Sequence, residues 1–203
     1  MERKIASLLT YVFHPLLLPG YSFILMLHMD SILPYLIPLK TKWTVIGFVF
    51  LLAAVLPSLI NFVFMKRGLI RSMKLENRQE RYLPFLITAG CFYLVATMVK
   101  QLELPAVFYL FSLGTTMLPL MALFMTFYTK VSVHMIGIGG MTGTFLGLAI
   151  RWELEIIPLI MMLFIVSGLL AYSRLRLRAH TQAEVYSGYI MGFGVMLLLF
   201  LLI

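Results

Sequence analysis

The sequence predicts an all-α integral membrane protein, a bundle of about six to seven transmembrane helices. Three observations carry that prediction. The 203 residues are 62% hydrophobic and only 12% charged, where soluble domains run nearer about 45–50% apolar and about 25% charged. Mean hydropathy is +0.99. Seven apolar segments, each able to cross a hydrocarbon core ~30 Å thick, are joined mostly by short polar connections.

The first segment lies within Leu16–Ile37, its ends blurred by Pro15, Pro19, Pro34 and Pro38. The residues before it, Ile5 to Phe13, suit the membrane interface. The second is Trp43–Met65, with Pro57 as a kink, and the third is Leu83–Val99. The fourth, Pro105–Tyr128, contains Pro119. The fifth is about His134–Ile150, the sixth Ile156–Tyr172 and the seventh about Val185–Ile203. Each must be helical, because lipid-facing backbone has to satisfy its own hydrogen bonds. No linker, repeat or low-complexity tract interrupts them, so 1–203 reads as a single transmembrane domain.

The net charge of +8 does not indicate nucleic acid, since no soluble domain or basic arm carries it. Cations flanking spans anchor them and set orientation. The single Cys91 lies in an apolar run and has no internal partner. Met1-Glu2-Arg3-Lys4 followed by apolar residues imitates a signal peptide. Pro15, Pro19 and bulky residues stand where a cleavage site needs small ones, so a retained first span is expected.

Three polar stretches stand out: Lys74 to Arg81, Val131 to His134, and Ser173 to Glu184. With seven spans, the loops after the second, fourth and sixth share one face with the N-terminus, and these loops hold the three stretches. That face carries twelve Lys/Arg: Arg3, Lys4, Lys66, Arg67, Arg71, Lys74, Arg78, Arg81, Lys130, Arg174, Arg176 and Arg178. The other carries four: Lys40, Lys42, Lys100 and Arg151. The positive-inside rule makes the motif face cytoplasmic.

Each stretch has a bland and a chemical reading. Lys74 and Arg81, seven apart, share a face if helical and can grip different oxygens of one phosphate. The bland reading is a solvated loop in which Glu76 and Glu80 pair with nearby arginines. Ser132-x-His134 offers a hydroxyl, backbone N–H groups and an acid–base group at a helix start. The bland reading is a Ser N-cap with an interfacial His. His180 and Glu184, four apart, meet if the last helix starts near His180, and the carboxylate then fixes the imidazole tautomer. Arg174 adds a third cation. The bland reading is a basic turn whose alternating arginines bind anionic headgroups.

Together the stretches resemble the type 2 phosphatidic acid phosphatase superfamily of membrane lipid phosphatases. Its pattern is Lys-x6-Arg-Pro, Pro-Ser-Gly-His and Ser-Arg-x5-His-x3-Asp. Here it reads Lys74-x6-Arg81, Ser132-x-His134 and Ser173-Arg174-x5-His180-x3-Glu184. Order and internal spacing agree over residues 74–184, and the third motif is the most specific. Tyr82 replaces a Pro, Val131 and Val133 replace Pro and Gly, and Glu184 replaces Asp.

The resemblance implies a metal-independent phosphoric ester hydrolase with no cofactor, acting on a membrane lipid in the plasma membrane. Phosphatidic acid, phosphatidylglycerol phosphate and a polyprenyl diphosphate are candidate substrates. His180, oriented by Glu184, attacks phosphorus and forms a phosphohistidine; His134 protonates the leaving alkoxide. Lys74, Arg81, Ser132, Ser173 and Arg174 hold phosphate oxygens. Family members commonly work on the outer face, whereas the charge bias is cytoplasmic. A non-catalytic relative that binds or moves anionic lipids is the alternative, motivated by Val133. A transporter fits less well, since the charges gather at span ends rather than mid-membrane. Nothing in the sequence sets an oligomeric state. Gly139, Gly143 and Gly147, with Gly188 and Gly192, read as close-packing rows. His14 and His28 read as interfacial.

Overall fold

The structure, a computed structural model, describes residues 2–29, 35–73, 75 and 77–202. Among these there are helices and no strand. In chain order they are α1 (Glu2–Val12), α2 (Leu18–His28), α3 (Leu39–Phe50), α4 (Leu56–Lys66), α5 (Tyr82–Gln101), α6 (Ala106–Thr126), α7 (Val133–Trp152), α8 (Ile157–Arg176) and α9 (Gln182–Leu201).

Among the described residues, six stretches are long and apolar enough to cross a membrane: 39–66, which runs from α3 through α4, then Gln79–Gln101, α6, α7, α8 and α9. The chain is a helical integral membrane protein. These six match the second to seventh segments expected from sequence. The first segment is described only in part. Its described helical part is α2, only 11 residues. At 1.5 Å per residue that is about 16 Å, half a hydrocarbon core. Residues 30–34 of that segment lie outside the described residues.

Prolines mark the helix boundaries. Pro38 and Pro105 stand immediately before α3 and α6, and Pro158 occupies the first turn of α8. Pro57 falls inside the longest span, and the chain absorbs it with a π-helical turn over Leu51–Val55. There the Leu56 N–H reaches back to the Leu51 carbonyl. A wider turn relieves the clash that a proline ring makes with the carbonyl four residues earlier. Pro119 stays within α6.

Packing divides the chain into two compact units: Met1–Leu18 with Thr129–Ile203, and Pro19–Tyr128. The second unit has the α5–α6 hairpin as its main contact. Its aromatic core brings Phe23 against Phe108 and Phe111, at 5.9 and 5.5 Å between centroids.

In the first unit, α7 is the most enclosed of the six spans and packs along α9. Their seam is glycine on both sides. A Cβ on Gly143 would strike the Phe193 carbonyl, and one on Gly192 would strike the Ile136 carbonyl. With no side chain between them, the two backbones meet directly, as the glycine rows predict. α8 closes one side of α7, where Thr142 Oγ1 lies 3.3 Å from Ser167 Oγ. The short α1 lies along α8. It leaves Ile5, Leu8 and Val12 exposed on one face, with Arg3 and Lys4 at its start. Such a pattern is the one amphipathic interfacial helices carry.

Candidate functional site

The glycine seam fixes the register of the second and third polar stretches. Gly188 on α9 sits so close to Ser132 that a Cβ would come 2.8 Å from the Ser132 carbonyl. Two hydrogen bonds to backbone carbonyls then tie the stretches together. The Ser132 N–H donates to the Glu184 carbonyl at 3.1 Å. The His180 Nδ1–H donates to the Lys130 carbonyl at 3.0 Å.

His180 Nδ1 also lies 3.1 Å from Glu184 Oε2. A carbonyl and a carboxylate are both acceptors, so Nδ1 carries the proton. The neutral ring therefore has Nε2 unprotonated, as a nucleophile requires. The contact arises differently from the sequence expectation. His180 is not in the helix: α9 begins at Gln182, with Thr181 as its N-cap. Glu184 belongs to a capping box, accepting the Thr181 N–H at 3.0 Å while its own N–H donates to Thr181 Oγ1 at 3.3 Å. That box turns the carboxylate back past the helix end, where it meets His180. A common N-terminal device thus also orients an imidazole.

Ser132 stands at the N-cap of α7, but its hydroxyl makes no capping bond. Ser132 Oγ is fully buried without a hydrogen-bond partner among the described residues. His134, 7% exposed, is in the same condition at both ring nitrogens. The Thr10 carbonyl approaches that ring, though outside hydrogen-bonding geometry. Arg174, His14 and His180 are its charged or titratable neighbours.

The three alternating arginines separate cleanly. Arg176 pairs with Glu2 on α1 at 2.9 Å, exposed on both sides. Arg178 takes a left-handed conformation, φ 54°, in the turn that ends α8. The N–H groups of Arg178 and Ala179 close that turn on the carbonyls of Leu175 and Arg174, a Schellman arrangement. Arg174 is half-buried, and its Nε is enclosed without a partner. Only Arg174 is turned toward the histidines. Ser173 is fully buried, and its hydroxyl donates to the Leu169 carbonyl at 2.8 Å within its own helix. That hydroxyl proton is therefore committed to the backbone.

The first polar stretch lies in the other unit. Lys74 and Glu76 are outside the described residues. Residues 75, 77 and 78 are not helical, and only Gln79–Arg81 forms a 3-10 turn before α5. The expected pairing of Lys74 with Arg81 on one helix face therefore lies outside the described residues. Arg81 is 4% exposed and donates from Nε to the Leu75 carbonyl at 3.0 Å. Leu75 is itself left-handed, φ 49°. Glu80 pairs with an arginine side chain as the bland reading expects, Arg71 Nε lying 3.7 Å from Oε1, and it also accepts from the Arg71 N–H and from Asn77 Nδ2. Tyr82, where the resembled pattern has proline, stacks on Phe127.

One residue beside His134 was assigned to the interface from sequence. The His14 and His134 rings meet in a T-shaped arrangement, with centroids 5.5 Å apart and planes at 83°. No spacing signal marks it, because the contact joins residues 120 positions apart, 134 − 14. His28 is exposed and bonds the Ile24 carbonyl in its own helix. No group of three His, Cys, Asp or Glu among the described residues is arranged to hold a metal. No protein-family model, curated protein or solved structure matches this chain.

Proposed function

We propose that this protein is a membrane lipid phosphatase that works through a phosphohistidine. The observation that carries the reading is His180. Its Nδ1–H is fixed by Lys130 and Glu184, in the same unit as the unpartnered donors of Ser132, His134 and Arg174. A tautomerically fixed imidazole beside enclosed donor groups suits attack on a tetrahedral oxyanion. Six apolar helices of span length favour a substrate that enters from the bilayer, and a plasma-membrane site is the setting proposed.

In this reading, His180 Nε2 attacks phosphorus and the bond to the lipid oxygen breaks. The departing alkoxide takes a proton from His134. Arg174 and Ser132 stabilise charge on the equatorial oxygens. Water then attacks the phosphohistidine, the P–N bond breaks, and inorganic phosphate leaves while His134 regains a proton. Arg81 and Lys74 enter as phosphate cations through the motif resemblance. Ser173 contributes position rather than a donated proton, since Leu169 accepts it.

The test is phosphate release by protein purified in detergent from phosphatidic acid, phosphatidylglycerol phosphate and a polyprenyl diphosphate. Release without added metal, inhibited by vanadate and abolished in His180→Ala, is expected. No release from any of the three, or release unaffected by His180→Ala, sinks the proposal. Val133, at the first turn of α7 where the resembled pattern has glycine, favours a second reading: a relative that binds or moves anionic lipids without turnover. Lipid binding that survives His180→Ala, with no turnover in the wild type, selects it.

A further inference from the structure

His14 is placed by local chemistry. The chain leaves α1 into a turn, with Pro15 following His14 and the Leu17 N–H bonding the His14 carbonyl at 2.8 Å. Proline at the second position of such a turn presets its φ. It also keeps His14 out of helical conformation. The turn seats against α7 because Gly137 has no side chain there. A Cβ on Gly137 would lie 2.7 Å from Leu18 Cδ1 and 3.7 Å from Pro15. Gly137 stands three residues after His134, close to one helical turn, so the seat brings His14 onto the His134 ring.

The His14 ring is also polarised in one sense. The Leu16 N–H points at Nδ1 from 3.4 Å. Nδ1 is therefore the acceptor, and the neutral ring keeps its proton on Nε2. Burial, and then the nearby Arg174 guanidinium, hold the His14 pKa below the ordinary value. The ring is thus a neutral donor beside His134, with Arg174 acting on both imidazoles. Among the described residues the nitrogens of His134, Arg174 Nε and, two residues before His134, Ser132 Oγ are enclosed without a hydrogen-bond partner. Each of the three side chains carries at least one N–H or O–H donor, and leaving such donors enclosed and unmatched is unfavourable. Among Ser, His and Arg, the complement that satisfies them together is an anion with several oxygens.

We propose that His14 is a third imidazole of this site, donating Nε2–H to an oxygen of the phosphoryl group that Arg174 and Ser132 also bind. It is a binding residue outside the three motifs, and its assignment rests on the phosphoryl reading above. The ligand chemistry is a tetrahedral phosphoryl oxyanion, carried either by a lipid or by free phosphate.

The experiment compares wild type, His14→Phe and His14→Gln as whole protein in detergent. Calorimetric titration with inorganic phosphate and vanadate is run beside KM for phosphatidic acid in mixed micelles. Phe keeps the ring and loses the donor; Gln places an N–H near the Nε2 position. Phe is expected to weaken the inorganic anions and the lipid alike, roughly tenfold to a hundredfold, with Gln recovering most of the loss. Loss confined to the lipid overturns the proposal, because the contact is then not with phosphate. Unchanged anion affinity in a folded His14→Phe, or no anion binding by the wild type, also overturns it. If His14→Phe does not fold, nitrogen NMR of wild-type imidazoles decides: the His14 Nε2 resonance must move on adding vanadate. Failure of turnover in the wild type removes the phosphatase reading, while the anion titration still judges His14.

Discussion

His180 and Glu184 lie 3.1 Å apart, Nδ1 to Oε2, although only Glu184 belongs to a helix. The capping box at Thr181 brings them together, so one carboxylate serves helix stability and imidazole orientation at once. The two roles separate by substitution. Gln at the same position keeps a capping box but has no charge to hold the imidazolium. Glu184→Gln is therefore expected to lower turnover by roughly 10²–10⁴-fold with little change in melting. Thr181→Ala is expected to do the reverse, costing about 1 kcal/mol of stability. Phosphate-release rates and thermal unfolding on both variants check this; parallel loss of both quantities in each would refute the separation.

The arginines of the α8–α9 turn make a second pair of opposites. Arg174 has an enclosed, unpartnered Nε, whereas Arg176 spends its guanidinium on Glu2 in solvent. Lysine cannot reproduce a planar guanidinium fork. Arg174→Lys is expected to raise the inhibition constant for vanadate about tenfold or more. Arg176→Lys is expected to leave it unchanged, and exposed pairs of this kind contribute only about 0–1 kcal/mol. Equal effects from the two substitutions would remove Arg174 from its assigned place.

The glycine seam predicts a steep contrast between glycines. Alanine at Gly143 or Gly192 forces a methyl into the facing backbone, so α7 and α9 must part. A loss of about 1–3 kcal/mol is expected, with reduced activity because Ser132 and Glu184 separate. Gly168 and Gly194 face open space. Alanine there is expected to be neutral or to stabilise by roughly 0.5–1 kcal/mol. Thermal unfolding of the four variants in one detergent measures the contrast.

His14 sets an acid limit on stability. Its native pKa is depressed by burial and then by Arg174, relative to an ordinary 6.5. The unfolded chain binds this proton more readily than the native state, so the contribution is fully present above 6.5. It falls as pH drops from there through the depressed native value. His14→Gln is expected to flatten this part of the stability–pH curve. Melting curves across that range, for both proteins, report it; identical acid limbs would show that His14 does not titrate this way.

What could be read without coordinates was what depends on composition and local order. Apolar runs of span length require helices in a bilayer, so six of the seven segments appear where the sequence puts them. The glycine rows announced a close helix contact because only glycine permits one. The pairing of His180 with Glu184 was legible as spacing, but its cause was not: the helix starts later than that spacing implies. Tertiary packing alone decided which of Arg174, Arg176 and Arg178 faces the histidines. It alone brought His14 from the start of the chain onto His134. Neither fact has a local signal, because each depends on which helix faces pack together, and the direct contact of two glycine backbones sets that register.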